Sequence, residues 1–87
     1  MKIKDGFILR EVAGSYIVVA VGSAVKTFNG VINLNQTGAF LWELLQKGAE
    51  KEDLVKALLG EYEVDEQTAS KDVDVFIEKL EQANLIK

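Results

Sequence analysis

Leu34-Asn35-Gln36-Thr37-Gly38-Ala39-Phe40-Leu41-Trp42-Glu43-Leu44-Leu45 is the stretch on which the fold turns. Asn35 stands where an N-cap belongs, because its side chain can accept from the free N–H groups of a first helical turn. A helix is expected from Gln36 to about Lys47, with Gly48 placed to end it in a left-handed conformation. Phe40, Leu41, Leu44 and Leu45 are expected to pack on a sheet. Gly38 permits close approach there, and Trp42 reads as core or core edge. The chain therefore changes character at Asn35.

In front of Asn35 the sequence is strand-rich. Phe7 to Val12 reads as a first strand, Ala13-Gly14 as a turn, and Ser15 to Val21 as a second strand of a hairpin. Gly22 to Gly30 reads mostly as loop, with Val25 to Phe28 as a short extended piece. Asn29-Gly30 is a turn dipeptide, and Val31 to Leu34 a short third strand. Behind Asn35 two more helices are expected. One runs from Lys51 to Tyr62 with Leu54, Val55, Leu58 and Leu59 on one face, although no usual capping residue precedes it. Asp65 caps the other, in which Ala69, Val73, Phe76, Ile77 and Leu80 follow the helical period. Asn84 ends it, and Leu85-Ile86 folds back as an apolar tail. Residues 1–87 read as one domain of the α+β class, winged-helix-like, with a three-stranded antiparallel sheet followed by three helices.

Composition bounds the function. The 87 residues hold no proline, no cysteine and no histidine. A domain this size buries only about 60–65% of its unfolded surface, so every layer must contribute. Without histidine or cysteine the commonest general base, the commonest nucleophile and most transition-metal ligands are missing. Acidic pairs such as Asp72/Asp74 and Glu61/Glu63 stand two apart, facing away from each other on a helix. No phosphate loop or EF-hand spacing occurs. The expectation is a protein that is not an enzyme and has no metal and no cofactor. Met1 to Asp5 is polar and Tyr16 to Val21 is too short for a membrane span or signal core, so a cytoplasmic protein is expected.

Charge is uneven. Residues 1–35 carry four bases and two acids, residues 36–87 six bases and twelve acids. A winged-helix shape invites a reading as a DNA-binding regulator. From Asp65 to Glu81, however, the third helix carries six acids against two lysines, which would repel a phosphate backbone. A homodimerisation domain pairing its own free edge is the other alternative.

Val31-Ile32-Asn33-Leu34 has the brevity of an edge strand. By alternation Ile32 and Leu34 face the core with Val31 and Asn33 outward, or the reverse. On the third helix Val73, Phe76, Ile77 and Leu80 fall within about 80° of Ala69, whereas Val75 lies near −120°, off the core face and flanked by Asp72 and Lys79.

The ordered set Leu34-Asn35-x-Thr37-Gly38, Leu41-Trp42-x-Leu44-Leu45, Glu52-Asp53-Leu54-Val55, Leu58-Leu59, Asp72-Val73, Phe76-Ile77, Leu80 and Asn84-Leu85-Ile86 resembles the PqqD-like family, named for the coenzyme PQQ synthesis protein D. The resemblance runs from about Phe7 to Ile86. It differs at Lys47, where the family has an acidic residue, which suggests a relative serving another peptide. It implies a recognition element for ribosomally made, enzymatically modified peptides. Such an element is a non-catalytic chaperone or adaptor that captures a leader peptide and presents it to a separate modifying enzyme, such as a radical SAM enzyme. The leader would add as a strand beside Val31, Ile32, Asn33 and Leu34, with Asp72, Val75 and Lys79 forming the opposite wall. No nucleic acid and no membrane is expected as partner, and the chain is expected as a monomer or homodimer.

Overall fold

The computed structural model describes residues 1–28 and 30–87. The element order is β1 (Phe7–Val12), β2 (Ser15–Ala20), β3 (Ile32–Leu34), α1 (Gln36–Lys47), α2 (Lys51–Glu61) and α3 (Glu66–Gln82). The three strands form one antiparallel sheet in the order β1-β2-β3, as the α+β reading requires.

β1 and β2 close around Ala13-Gly14, both at positive φ (52° and 82°). That pair of left-handed residues gives a two-residue loop whose twist matches the strands it joins. Val12 is opposite Ser15 and Phe7 opposite Ala20, so side chains at Leu9, Val18 and Ile32 share one face. β2 stops one residue short of the expected Val21, whose N–H instead donates to the Gly6 carbonyl at 2.8 Å. Gly6 has φ +95°, and a Cβ there would meet that of Ala24 at 2.8 Å, so only glycine fits.

The extended piece expected at Val25 to Phe28 is absent. Gly22–Lys26 forms a 3-10 helical turn, closed by the Thr27 N–H donating to the Ala24 carbonyl three residues back, which also accepts from the Phe28 N–H. Phe28 then stands edge-on to Phe7, 5.3 Å between ring centres. The expected Asn29-Gly30 turn involves Asn29, which lies outside the described residues; Gly30 has φ 106°.

Asn35 caps α1 as expected, its Oδ1 accepting from the Gly38 N–H at 2.7 Å. At the far end Gly48 has φ 97° and donates to the Leu45 carbonyl, but its ψ of 127° lies outside the left-handed helical basin. α2 is capped from inside: the Asp53 carboxylate accepts from the Glu50 N–H at 2.9 Å. Asp65 caps α3 by accepting from the Thr68 N–H at 2.7 Å. α3 ends in a Schellman arrangement around Asn84 (φ 62°), with Leu85 N–H donating to Leu80 and Asn84 N–H to Glu81.

The core joins Val18 and Leu34 of the sheet to Leu41, Trp42 and Leu45 of α1, Leu54 and Leu58 of α2, and Ala69, Val73, Phe76 and Leu80 of α3. On α1, Leu41, Leu45 and Trp42 are buried as expected, and Phe40 and Leu44 depart from expectation. Trp42, with Leu41 and Leu45, fills the centre, while Phe40 and Leu44 are only partly buried. Phe40 turns to the margin and stacks edge-on against Tyr62. Leu59 is also exposed, since it lies about 100° beyond Leu58 around the helix. Ile3, in a segment expected to be merely polar, is buried and bridges antiparallel to Ile86.

Candidate functional site

β3 is an edge of the sheet, and its orientation follows from its neighbours. Leu34 is buried and Ile32 packs on the core, while Asn33 and Val31 are exposed. Of the two alternations open in the sequence, the structure has Ile32 and Leu34 inward.

The direction of the backbone groups is set by one contact. Lys79 Nζ, on α3, donates to the main-chain carbonyl of Asn33 at 2.7 Å. That carbonyl therefore points away from β2 and toward α3. In an antiparallel ladder the N–H and C=O of one residue point to the same side. Leu34 with Tyr16 and Ile32 with Val18 are thus the hydrogen-bonded pairs, and Asn33 opposite Ile17 turns its groups to the free edge.

Between this edge and α3 lies a groove of about 360 Å³. Its floor is apolar, made by Leu34, Leu41 and Phe76, and α3 forms one wall with Lys71, Asp72, Val75 and Lys79. The first turn of α1 closes one end with Asn35, Thr37 and Gly38. Gly38 is there for space: a Cβ would come within 3.2 Å of the capping Asn35 Oδ1 and 3.3 Å of Leu34 Cβ. Val75 is 58% exposed, an apolar side chain presented to solvent along the groove.

Of the residues singled out in the sequence, Leu34, Asp72, Val75 and Lys79 line this one groove, and Asn33 joins it through Lys79. Val31 and Ile32 do not line it: β3 begins at Ile32, one residue later than expected, so exposed Val31 precedes the paired strand, and Ile32 turns into the core. Sequence reasoning missed Thr37, Lys71 and the floor residues Leu41 and Phe76. Leu41, expected to pack on the sheet, and Phe76, on the helical period of the third helix, serve both the core and the groove floor. Among the described residues no three or more acidic, histidine or cysteine side chains cluster as metal ligands would. No described helix is long and apolar enough to cross a membrane.

The sequence profile of coenzyme PQQ synthesis protein D (PqqD) matches residues 8–86. The chain belongs to the PqqD family. No curated protein matches it. Among solved structures, TbiB1 in complex with the TbiA(beta) leader peptide is similar with a TM-score of 0.78. The two are 25% identical, over 100% of this chain and 95% of that one. A lasso peptide synthetase B1 complexed with the leader peptide is similar with a TM-score of 0.74, at 19% identity, over 97% of this chain and 93% of that one. This second likeness is one of fold. The PqqD-type arrangement of a three-stranded sheet followed by three helices thus extends over the whole chain.

Proposed function

We propose that this PqqD-family chain is a non-catalytic adaptor that captures the leader segment of a ribosomally made precursor peptide and presents it to a separate modifying enzyme. It acts as one domain, in the cytoplasm, and the enzyme it serves is a radical SAM enzyme or another peptide-modifying catalyst. The leader adds in extended form beside β3, pairing with the outward groups of Asn33 and Val31, while alternate side chains enter the groove walled by Asp72, Val75 and Lys79.

The observation that carries this reading is the short exposed edge strand facing an apolar-floored groove, in a fold it shares with a leader-peptide complex. Strand addition satisfies the free N–H and C=O groups of such an edge, and the groove supplies selectivity. A DNA-binding reading has no comparable support, since α3 carries six acids against two lysines from Asp65 to Glu81.

Affinity purification from the native cell, with mass spectrometry of what is retained, tests the proposal. A small precursor and a modifying enzyme are the expected companions. The recovered precursor, titrated into the labelled protein, should shift amides of residues 31–34 and leave α2 unmoved. Retention of nucleic acid, or shifts confined to α2, would overturn the reading.

A further inference from the structure

Charge is segregated around α3. Of its eight ionisable side chains from Asp65 to Glu81, both bases line the groove, and only one acid, Asp72, accompanies them. Asp74, by contrast, faces α2, where it pairs with Lys51 at 2.7 Å. Lys71 and Lys79 make no ion pair among the described residues. A groove of net positive charge thus lies on a chain whose net charge is −4.

Lys79 has a further particularity. Its ammonium occupies the Asn33 carbonyl, the acceptor that an incoming strand must use. A docking strand replaces that bond with its own N–H, which displaces an ammonium into a partly desolvated groove. The displacement is costly unless the strand brings an acceptor for the released charge. A carboxylate is the acceptor that best matches it.

Resting on the strand-addition reading, we infer that the groove selects a peptide with an acidic residue opposite Lys79 and an apolar residue two positions away, opposite Val75. The spacing follows from the geometry of helix and strand. Val75 and Lys79 stand one turn apart, about 6 Å along α3. Same-face residues two apart in an extended strand stand about 6.6 Å apart. Lys79 therefore exchanges partners on binding: it gives the Asn33 carbonyl to the peptide N–H and takes the peptide carboxylate.

The test is selection of a displayed library of random 12-residue peptides on the wild-type protein and on Lys79→Glu, followed by amide shift mapping with the enriched peptides. Wild type should enrich Asp or Glu two positions from an apolar residue. Lys79→Glu should enrich Lys or Arg at that same position, with a preference inverted on the order of tenfold. Peptides that shift residues 31–34 but show the same charge preference on both proteins would overturn this inference and leave strand addition standing. Enriched peptides that do not shift residues 31–34, or no enrichment on either protein, would overturn both.

Discussion

Ile3 and Ile86 face each other across an antiparallel bridge, flanked by bonds from the Lys4 N–H to the Leu85 carbonyl and from the Lys87 N–H to the Lys2 carbonyl. Ile3 also donates its N–H to the Leu45 carbonyl of α1, and its side chain is buried in the core. Two short tails thus close the helical layer together. Ile3→Ala is expected to lower unfolding stability by about 2–4 kcal/mol, measured by denaturant titration. Lys2→Ala, at an exposed neighbour, should change it by less than about 0.5 kcal/mol.

This pairing shows where the sequence was readable. Caps and helical periods are local, so Asn35, Asp65, the bounds of α1 and the apolar face of α3 could be read from a few residues each. Ile3 sits between two lysines and has no periodic companion; its burial comes from contacts distant in sequence, with Leu45 of α1 and with Ile86, 83 positions away. The phase of α1 was ambiguous for a different reason. Residues 39–45 are apolar except for Glu43, so several faces look alike, and the bulk of Trp42 decides which one enters the core. The groove was half legible. Val75, Asp72 and Lys79 stood out by helix phase, but Lys79 reaching Asn33 joins residues 46 apart, a relationship no local pattern records.

Core substitutions on α2 and α3 test the packing directly. Leu58 and Phe76 are both buried, so Leu58→Ala and Phe76→Ala should each cost about 2–5 kcal/mol. They differ in place, because Phe76 also floors the groove. Phe76→Leu should keep most of the stability and still weaken leader-peptide affinity, whereas Leu58→Met should leave affinity unchanged.

Asp65 makes the stability of α3 pH-dependent. The Thr68 backbone N–H, and then its side-chain hydroxyl, hold the Asp65 carboxyl below the ordinary carboxylate range. A carboxylate with a depressed folded pKa contributes stability above its unfolded pKa and loses it as pH falls through the folded value. Thermal melts of the wild type should therefore fall across the acidic range below pH 4 more than those of Asp65→Asn. Asparagine still caps the helix but does not titrate. Parallel acid limbs for the two proteins would contradict the role of this cap.

Lys79 also lies across the free edge of β3. A lysine laid across a free strand edge blocks pairing with another chain. Lys79→Met removes the donor to Asn33 while keeping the aliphatic stem. Sedimentation velocity across a concentration series should then show increased self-association, with little change in the unfolding midpoint, since an exposed bond of this kind adds little to the fold.

Proline placed in β3 separates the two sides of the strand. Asn33 turns its N–H to the free edge, so Asn33→Pro deletes one bond to an added peptide strand and none of the bonds to β2. Ile32 turns its N–H toward Val18, and its side chain packs on the core, so Ile32→Pro breaks the sheet itself. Asn33→Pro is expected to retain a cooperative unfolding transition while weakening leader binding by about 1 kcal/mol, roughly fivefold, in calorimetric titration. Ile32→Pro should instead lose stability by about 3 kcal/mol or more. If the two substitutions exchange these effects, the ladder is out of phase by one residue, and the outward groups belong to Ile32 and Leu34. Equal and full affinity for the precursor in Asn33→Pro and wild type would place the peptide somewhere other than this edge.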